Sequence, residues 1–173
     1  MKITTNSAEE TIKLGRKIGA QLNPGDVVTL EGDLGSGKTT FTKGIAQGIG
    51  VEKTITSPTF TLIQIYPQKN KPLRFAHIDT YRAETTQELI GAGITDVLYN
   101  KNTISVVEWP NKISSLLKKT IKIKLTSENE KRIIEIPDTF DLNKKTIKSI
   151  PIVYWLFTII IISFYILLFQ ATN

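Results

Sequence analysis

Residues 30–41 read LEGDLGSGKTTF, and this stretch decides the fold. Gly32-Asp33-Leu34-Gly35-Ser36-Gly37-Lys38-Thr39 fits G-x-x-x-x-G-K-[ST] in full. VVTLE at 27–31 reads as a short buried strand, and a helix is expected from Lys38 to about Gly48. Strand, glycine-rich loop and helix together form a phosphate cradle. Glycines let the backbone turn its N–H groups inward around a phosphate, and the new helix points its positive end at it. Lys38 neutralises phosphate oxygens and the Thr39 hydroxyl is a candidate Mg²⁺ ligand.

Outward from the loop, Ser7-Ala8-Glu9-Glu10 has the form of a capping box. Ile12, Gly15, Ile18 and Leu22 follow at helical spacing, up to a turn at Asn23-Pro24-Gly25-Asp26. TFTLIQIY (59–66) and LRFAHID (73–79) read as the two strands of a hairpin, and TISVVE (103–108) as a buried strand. TTQELIGAG is a short helix opened by Thr85 or Thr86, and NKISSLLKK reads as helical. TIKIKLT and KRIIEIP, joined by SENE, form a second hairpin. Helices alternating with buried strands imply a three-layer α/β, P-loop NTPase-like domain with a mixed sheet, over residues 1–140.

Such a site needs an acid at the end of a neighbouring strand. FAHID ends in Asp79 and ISVVE in Glu108, so one would face the metal and the other orient the attacking water. His77, the single histidine, lies two residues before Asp79 on the same strand face. It is a candidate to tune that carboxylate or to make a structural hydrogen bond. TSPTF (56–60) stands where a segment sensing the γ-phosphate would lie, with Ser57 and Thr59 offering hydroxyls.

The chain carries no cysteine, which excludes disulfides, thiol nucleophiles and Cys-based zinc sites. The polar N-terminus MKITTNSAEET does not read as a signal peptide, and a cytoplasmic protein is expected. The net charge of +6 is concentrated in residues 101–148, as a lysine-rich solvated face or a surface attracted to RNA or anionic lipid. None of the Asn-Lys dipeptides is followed by the Asp of a guanine-reading N-K-x-D motif, which favours adenine. Only Arg16, Arg74, Arg82 and Arg132 are present, so the arginine-rich lid of small-molecule kinases is missing from the pattern. A small ATPase acting with a partner ranks first. A P-loop kinase acting on a small molecule or protein, and a membrane-anchored nucleotide-dependent switch, are the alternatives.

GDLGSGKTT, SPTFTL, HIDTYR, ELIGAGITD and VVEWP, in this order and spacing, resemble the bacterial TsaE-type (YjeE) ATPases of tRNA threonylcarbamoyladenosine (t6A) biosynthesis. The resemblance runs from about Ser7 to about Pro137. It implies an Mg²⁺-dependent ATPase, weak alone, that docks on a TsaB–TsaD pair, with tRNA as the indirect substrate of the complex. By resemblance, Gly35, Ser36, Gly37, Lys38, Thr39 and Thr40 hold the phosphates of ATP. Thr39 and Glu108 bind the metal, and Asp79 supports hydrolysis by orienting water. Thr11 approaches the adenine, and Trp109 matches a position near the nucleotide or packs in the core.

The resemblance ends before IPIVYWLFTIIIISFYILLF (150–169), 20 residues without a charge. At ~1.5 Å per residue this spans roughly 30 Å, the thickness of a bilayer core. It is expected to be a C-terminal transmembrane helix after a basic linker at 141–149, leaving 170–173 as a short tail. Lys144, Lys145 and Lys148 would hold the domain on the cytoplasmic face. The other readings are a buried core helix, disfavoured because the run is apolar on every side, and a tail not native to the protein.

Overall fold

A computed structural model describes residues 1–68 and 72–143. The elements run β1 (Lys2–Thr5), α1 (Ala8–Gly19), β2 (Val27–Glu31), α2 (Lys38–Ile49), β3 (Ile63–Pro67) and β4 (Arg74–Asp79). Next come α3 (Thr86–Gly91), α4 (Ile94–Val97), β5 (Thr103–Glu108), a 3₁₀ segment (Pro110–Leu116), β6 (Ile121–Glu128) and β7 (Lys131–Glu135).

The strands form one sheet in the order β1-β7-β6-β2-β5-β4-β3. β6, β2, β5 and β4 are mutually parallel, while β3, β7 and β1 run antiparallel to their neighbours. The sheet is thus mixed, and both expected hairpins form. β5 is buried along its whole length and β2 along all but its last residue, as parallel strands covered on both faces should be.

On one face, Leu14 and Ile18 of α1 and Phe41 and Ile45 of α2 pack on Val28, Leu30, Phe75, Val106, Ile123 and Ile134. On the other, Leu89, Ile94 and Ile113 cover Val27, Ala76, Ile78 and Val107. The second helical layer is narrower: β1, β6 and β7 contribute no buried residue to its core.

Ser7 caps α1, its Oγ accepting the Glu10 amide at 3.1 Å. Glu10 reaches back one residue further than the expected box, to the Asn6 amide at 2.7 Å. α1 and α2 meet across glycines. A Cβ on Gly15 would stand 2.5 Å from the Phe41 carbonyl oxygen, and one on Gly44 2.2 Å from that of Ile12. Gly19 and Gly48 are equally tight, at 2.2 and 2.3 Å from facing carbonyls.

Four elements differ from the sequence reading. β1 is an added edge strand held by pairing to β7. The strand expected from Thr59 begins only at Ile63, because Thr61 and Leu62 fold back to the Pro58 carbonyl and Leu62 takes φ +62°. NKISSLLKK is a 3₁₀ segment ending at Leu116; it follows Trp109 at φ +61°, and Ile113 leaves helical geometry. α1 stops at Gly19, short of Leu22.

The expected transmembrane helix is corrected. Among the described residues no helix is long and apolar enough to cross a membrane. The longest, α1 and α2, have 12 residues each, against the roughly 20 a bilayer requires. The stretch 150–169, the linker from residue 144 and the tail 170–173 lie outside the described residues. The fold class that stands is the α/β domain with a mixed seven-stranded sheet.

Candidate functional site

The site lies at the carboxyl ends of the parallel strands, where open α/β sheets present ligand crevices. Residues 32–37 link β2 to α2. Gly32 has φ +148°, and a Cβ there would come within 2.1 Å of the Leu125 carbonyl oxygen on β6. Gly37 opens α2 at φ +98°. These two positions need glycine if the loop is to curl over the helix end.

Lys38 is buried. Its Nζ donates to the Gly32 and Asp33 carbonyl oxygens at 2.7 and 2.8 Å and sits 3.9 Å from the Trp109 ring centroid. Burial lowers its pKa from 10.5, opposed by the charges of Glu108, Asp79 and Asp33. A bound polyphosphate would add anionic partners and raise the pKa again. Binding then takes up protons between the lowered value of the free protein and the raised value of the complex, and affinity falls as pH climbs through that window. Calorimetric titration with nucleotide in buffers of unequal ionisation heat should reveal this uptake. A heat that does not depend on the buffer would contradict it.

Asp79 and Glu108 are direct register partners at the ends of β4 and β5. Their surroundings differ. Glu108 Oε2 accepts the Thr39 hydroxyl at 3.1 Å, and Oε1 lies 2.8 Å from His77 Nε2. Asp79 Oδ2 accepts Ser57 Oγ at 3.0 Å and Thr59 Oγ1 at 2.6 Å, while Oδ1 accepts the Tyr81 amide at 3.0 Å. His77 therefore bonds Glu108 across the sheet, not the Asp79 carboxylate on its own strand.

No group of three or more His, Asp or Glu able to hold a metal occurs among the described residues. Thr39 and Glu108 nevertheless offer adjacent hydroxyl and carboxylate oxygens. Such a sparse, all-oxygen set fits Mg²⁺, which takes one or two protein ligands and completes its shell with phosphates and water.

A cleft of about 610 Å³ runs from the loop to the start of α1. Its lining includes Thr11, Gly35, Gly37, Lys38, Thr39 and Thr40, and also Asp79, Glu108 and Trp109. Ser36 is fully buried behind the loop and is not part of the lining. The Thr11 hydroxyl is engaged by Thr5 Oγ1 at 2.7 Å and the Ser7 carbonyl at 3.0 Å, so Thr11 forms wall more than free donor. Trp109 faces the cleft, its ring 4.9 Å from that of Tyr81.

Sequence reasoning missed Thr42, Tyr81, Arg82, Glu130 and Arg132. Thr42 lies 3.4 Å from Glu108 Oε1, and the other four line the cleft. Arg132 had a signal: it alternates with Ile134 and so shares the face that packs on α1 and α2.

The family model described as "Threonylcarbamoyl adenosine biosynthesis protein TsaE" matches residues 5–134. The tRNA threonylcarbamoyladenosine biosynthesis protein TsaE of Bacillus subtilis (strain 168) is 40% identical over 136 residues, covering 77% of this chain and 83% of that one. Its counterpart from Treponema pallidum (strain Nichols) is 34% identical over 136 residues, covering 77% and 98%. The crystal structure of Bacillus subtilis YdiB superposes with a TM-score of 0.64 at 32% identity, covering 81% of this chain and 88% of that chain. The match takes in both carboxylates, the glycine-rich loop and the helix that walls the cleft, and the chain belongs to the TsaE family.

Proposed function

We propose that the chain is an Mg²⁺-dependent ATPase that supports t6A formation on tRNA by acting on a TsaB–TsaD complex. One observation carries the hydrolytic part. Two carboxylates at paired strand ends are held by different partners, Glu108 by Thr39 and Asp79 by the hydroxyls of residues 57 and 59. Family membership carries the tRNA part.

The loop amides and Lys38 bind the β- and γ-phosphates of ATP, the ammonium leaving its two loop carbonyls to do so. Thr39 and Glu108 hold Mg²⁺, which when bound neutralises charge on the phosphate oxygens. Asp79 accepts a hydrogen bond from the attacking water and orients it, once Ser57 and Thr59 yield its Oδ2. By the resemblance the adenine would lie towards Thr11, where Ser7, Ala8 and Arg132 also line the cleft.

The test is reconstitution with TsaB, TsaD, a threonylcarbamoyl donor and tRNA. Repeated t6A synthesis should require this protein and ATP, and Lys38→Ala should abolish it. Modification that proceeds equally without the protein overturns the proposal. Label from the γ-phosphate on an acceptor, with no free phosphate released, would replace it by a kinase.

A further inference from the structure

We infer that His77 is the positioning residue for the metal-facing carboxylate. Its imidazole fixes the rotation of Glu108, so that one oxygen is spent inside the protein and the other is presented beside Thr39. This rests on the reading of Glu108 as a protein ligand of Mg²⁺.

The terminal torsion of a glutamate is soft and nearly two-fold, so its two oxygens exchange places unless a donor holds one. Glu108 and His77 are both buried, and His77 is fully so. His77 Nε2 stands 2.8 Å from Oε1. The other neighbour of that oxygen, the Thr42 hydroxyl, lies closer to the Lys38 carbonyl, at 3.0 Å, than to Oε1, at 3.4 Å. The imidazole is therefore the strong donor to Oε1.

The other ring nitrogen, Nδ1, has no hydrogen-bond partner among the described residues. A proton on Nδ1 would be a buried donor with nothing to bind. It would also turn two acceptors, Nε2 and Oε1, towards each other. The hydrogen must then sit on Nε2, pointing at Glu108. The histidine is rigid: it sits mid-strand in β4, paired with Gln64 on one side and Val106 on the other. A ring serving only to fill space would need no such alignment, and a hydrocarbon would replace it.

The experiment measures Mn²⁺ bound to the protein–ADP complex, from the EPR signal of free Mn²⁺, because Mn²⁺ accepts the same oxygen ligands. Removing a group that orients a metal ligand typically weakens metal affinity about 10- to 100-fold. His77→Leu should show that loss while binding ADP in EDTA like the wild type. His77→Gln, whose side-chain amide reaches the place of Nε2, should recover to within about threefold. His77→Asn, which is too short, should not. A folded His77→Leu protein with wild-type Mn²⁺ affinity overturns the inference, as does a His77→Gln no better than His77→Asn. If His77→Leu does not fold, the Gln–Asn pair decides alone. Glu108→Gln separates the two levels. If it leaves Mn²⁺ affinity unchanged, the metal site itself is misassigned; if it weakens affinity while His77→Leu does not, only the positioning role fails.

Discussion

Asp79→Ala should lower the rate of ATP hydrolysis by about 10²–10⁴-fold while leaving ATP affinity within a few-fold of wild type. A positioned acid–base group is worth about that range. Binding should survive because the proposal rests phosphate capture on the loop and Lys38, while Asp79 accepts its hydrogen bonds from Ser57, Thr59 and the Tyr81 amide. Single-turnover phosphate release, measured beside nucleotide affinity, separates the two effects. A variant that loses affinity and rate equally would show that Asp79 only holds the loop of residues 57–59 in place. Asp79→Asn tests the charge: it keeps one acceptor and most of the shape, so a rate as low as that of Asp79→Ala assigns the role to the carboxylate.

The second large effect concerns stability, and two effects of opposite sign compete. In an exposed helix, replacing glycine by alanine gains about 1 kcal/mol. At Gly44 the new methyl would lie 2.2 Å from the Ile12 carbonyl oxygen and 3.0 Å from the Arg16 nitrogen. Both are backbone atoms, so relief requires α1 and α2 to move apart. Overpacking of this kind costs about 1–3 kcal/mol for small groups and more where backbone must shift. The clash wins: Gly44→Ala should destabilise by about 1–2 kcal/mol, and Gly44→Leu by about 3 kcal/mol or more. Gly91, in α3, is the control, since a Cβ there meets nothing within 4 Å. Gly91→Ala should be neutral or stabilising by up to about 1 kcal/mol. Urea unfolding of the three variants decides it, and a stabilised Gly44→Ala would refute the close approach.

The contrast between legible and illegible parts follows from which forces act locally. β2 and β5 announce themselves because strands buried on both faces are continuous apolar runs. The loop announces itself because its glycines are a local steric requirement. Asp79 and Glu108 were each visible at a strand end, yet their juxtaposition depends on β4 pairing with β5, which no local pattern encodes. That pairing also sends His77 to Glu108 instead of Asp79, its closer neighbour in the chain.

β1 escaped notice for the same reason. Its four residues carry no strong alternation and are ordered by β7, more than a hundred residues away. Thr59-Phe60 imitated the start of a strand in composition, but the turn at Pro58 and the Asp79 carboxylate claim that segment first. Glu130 and Arg132 reach the cleft only because the β6–β7 hairpin lies beside β2. Gly15 stood in the helical stripe of α1 with nothing to mark its partner, and in three dimensions it and Gly19, Gly44 and Gly48 are the contact itself.

That contact also governs which parts of the cleft can move. With backbone against backbone at Gly15, Gly19, Gly44 and Gly48, α1 and α2 cannot slide past each other without a clash, so the pair is expected to shift as one body. The start of α1 and the phosphate loop, at the same end of that body, form one wall of the cleft. The facing wall, residues 57–62 and 79–82, turns at Pro58 and Leu62 and is fastened to Asp79 through the Ser57 and Thr59 hydroxyls. One wall of the cleft is thus set by interlocked backbone and the other by side-chain hydroxyls gathered on a single carboxylate.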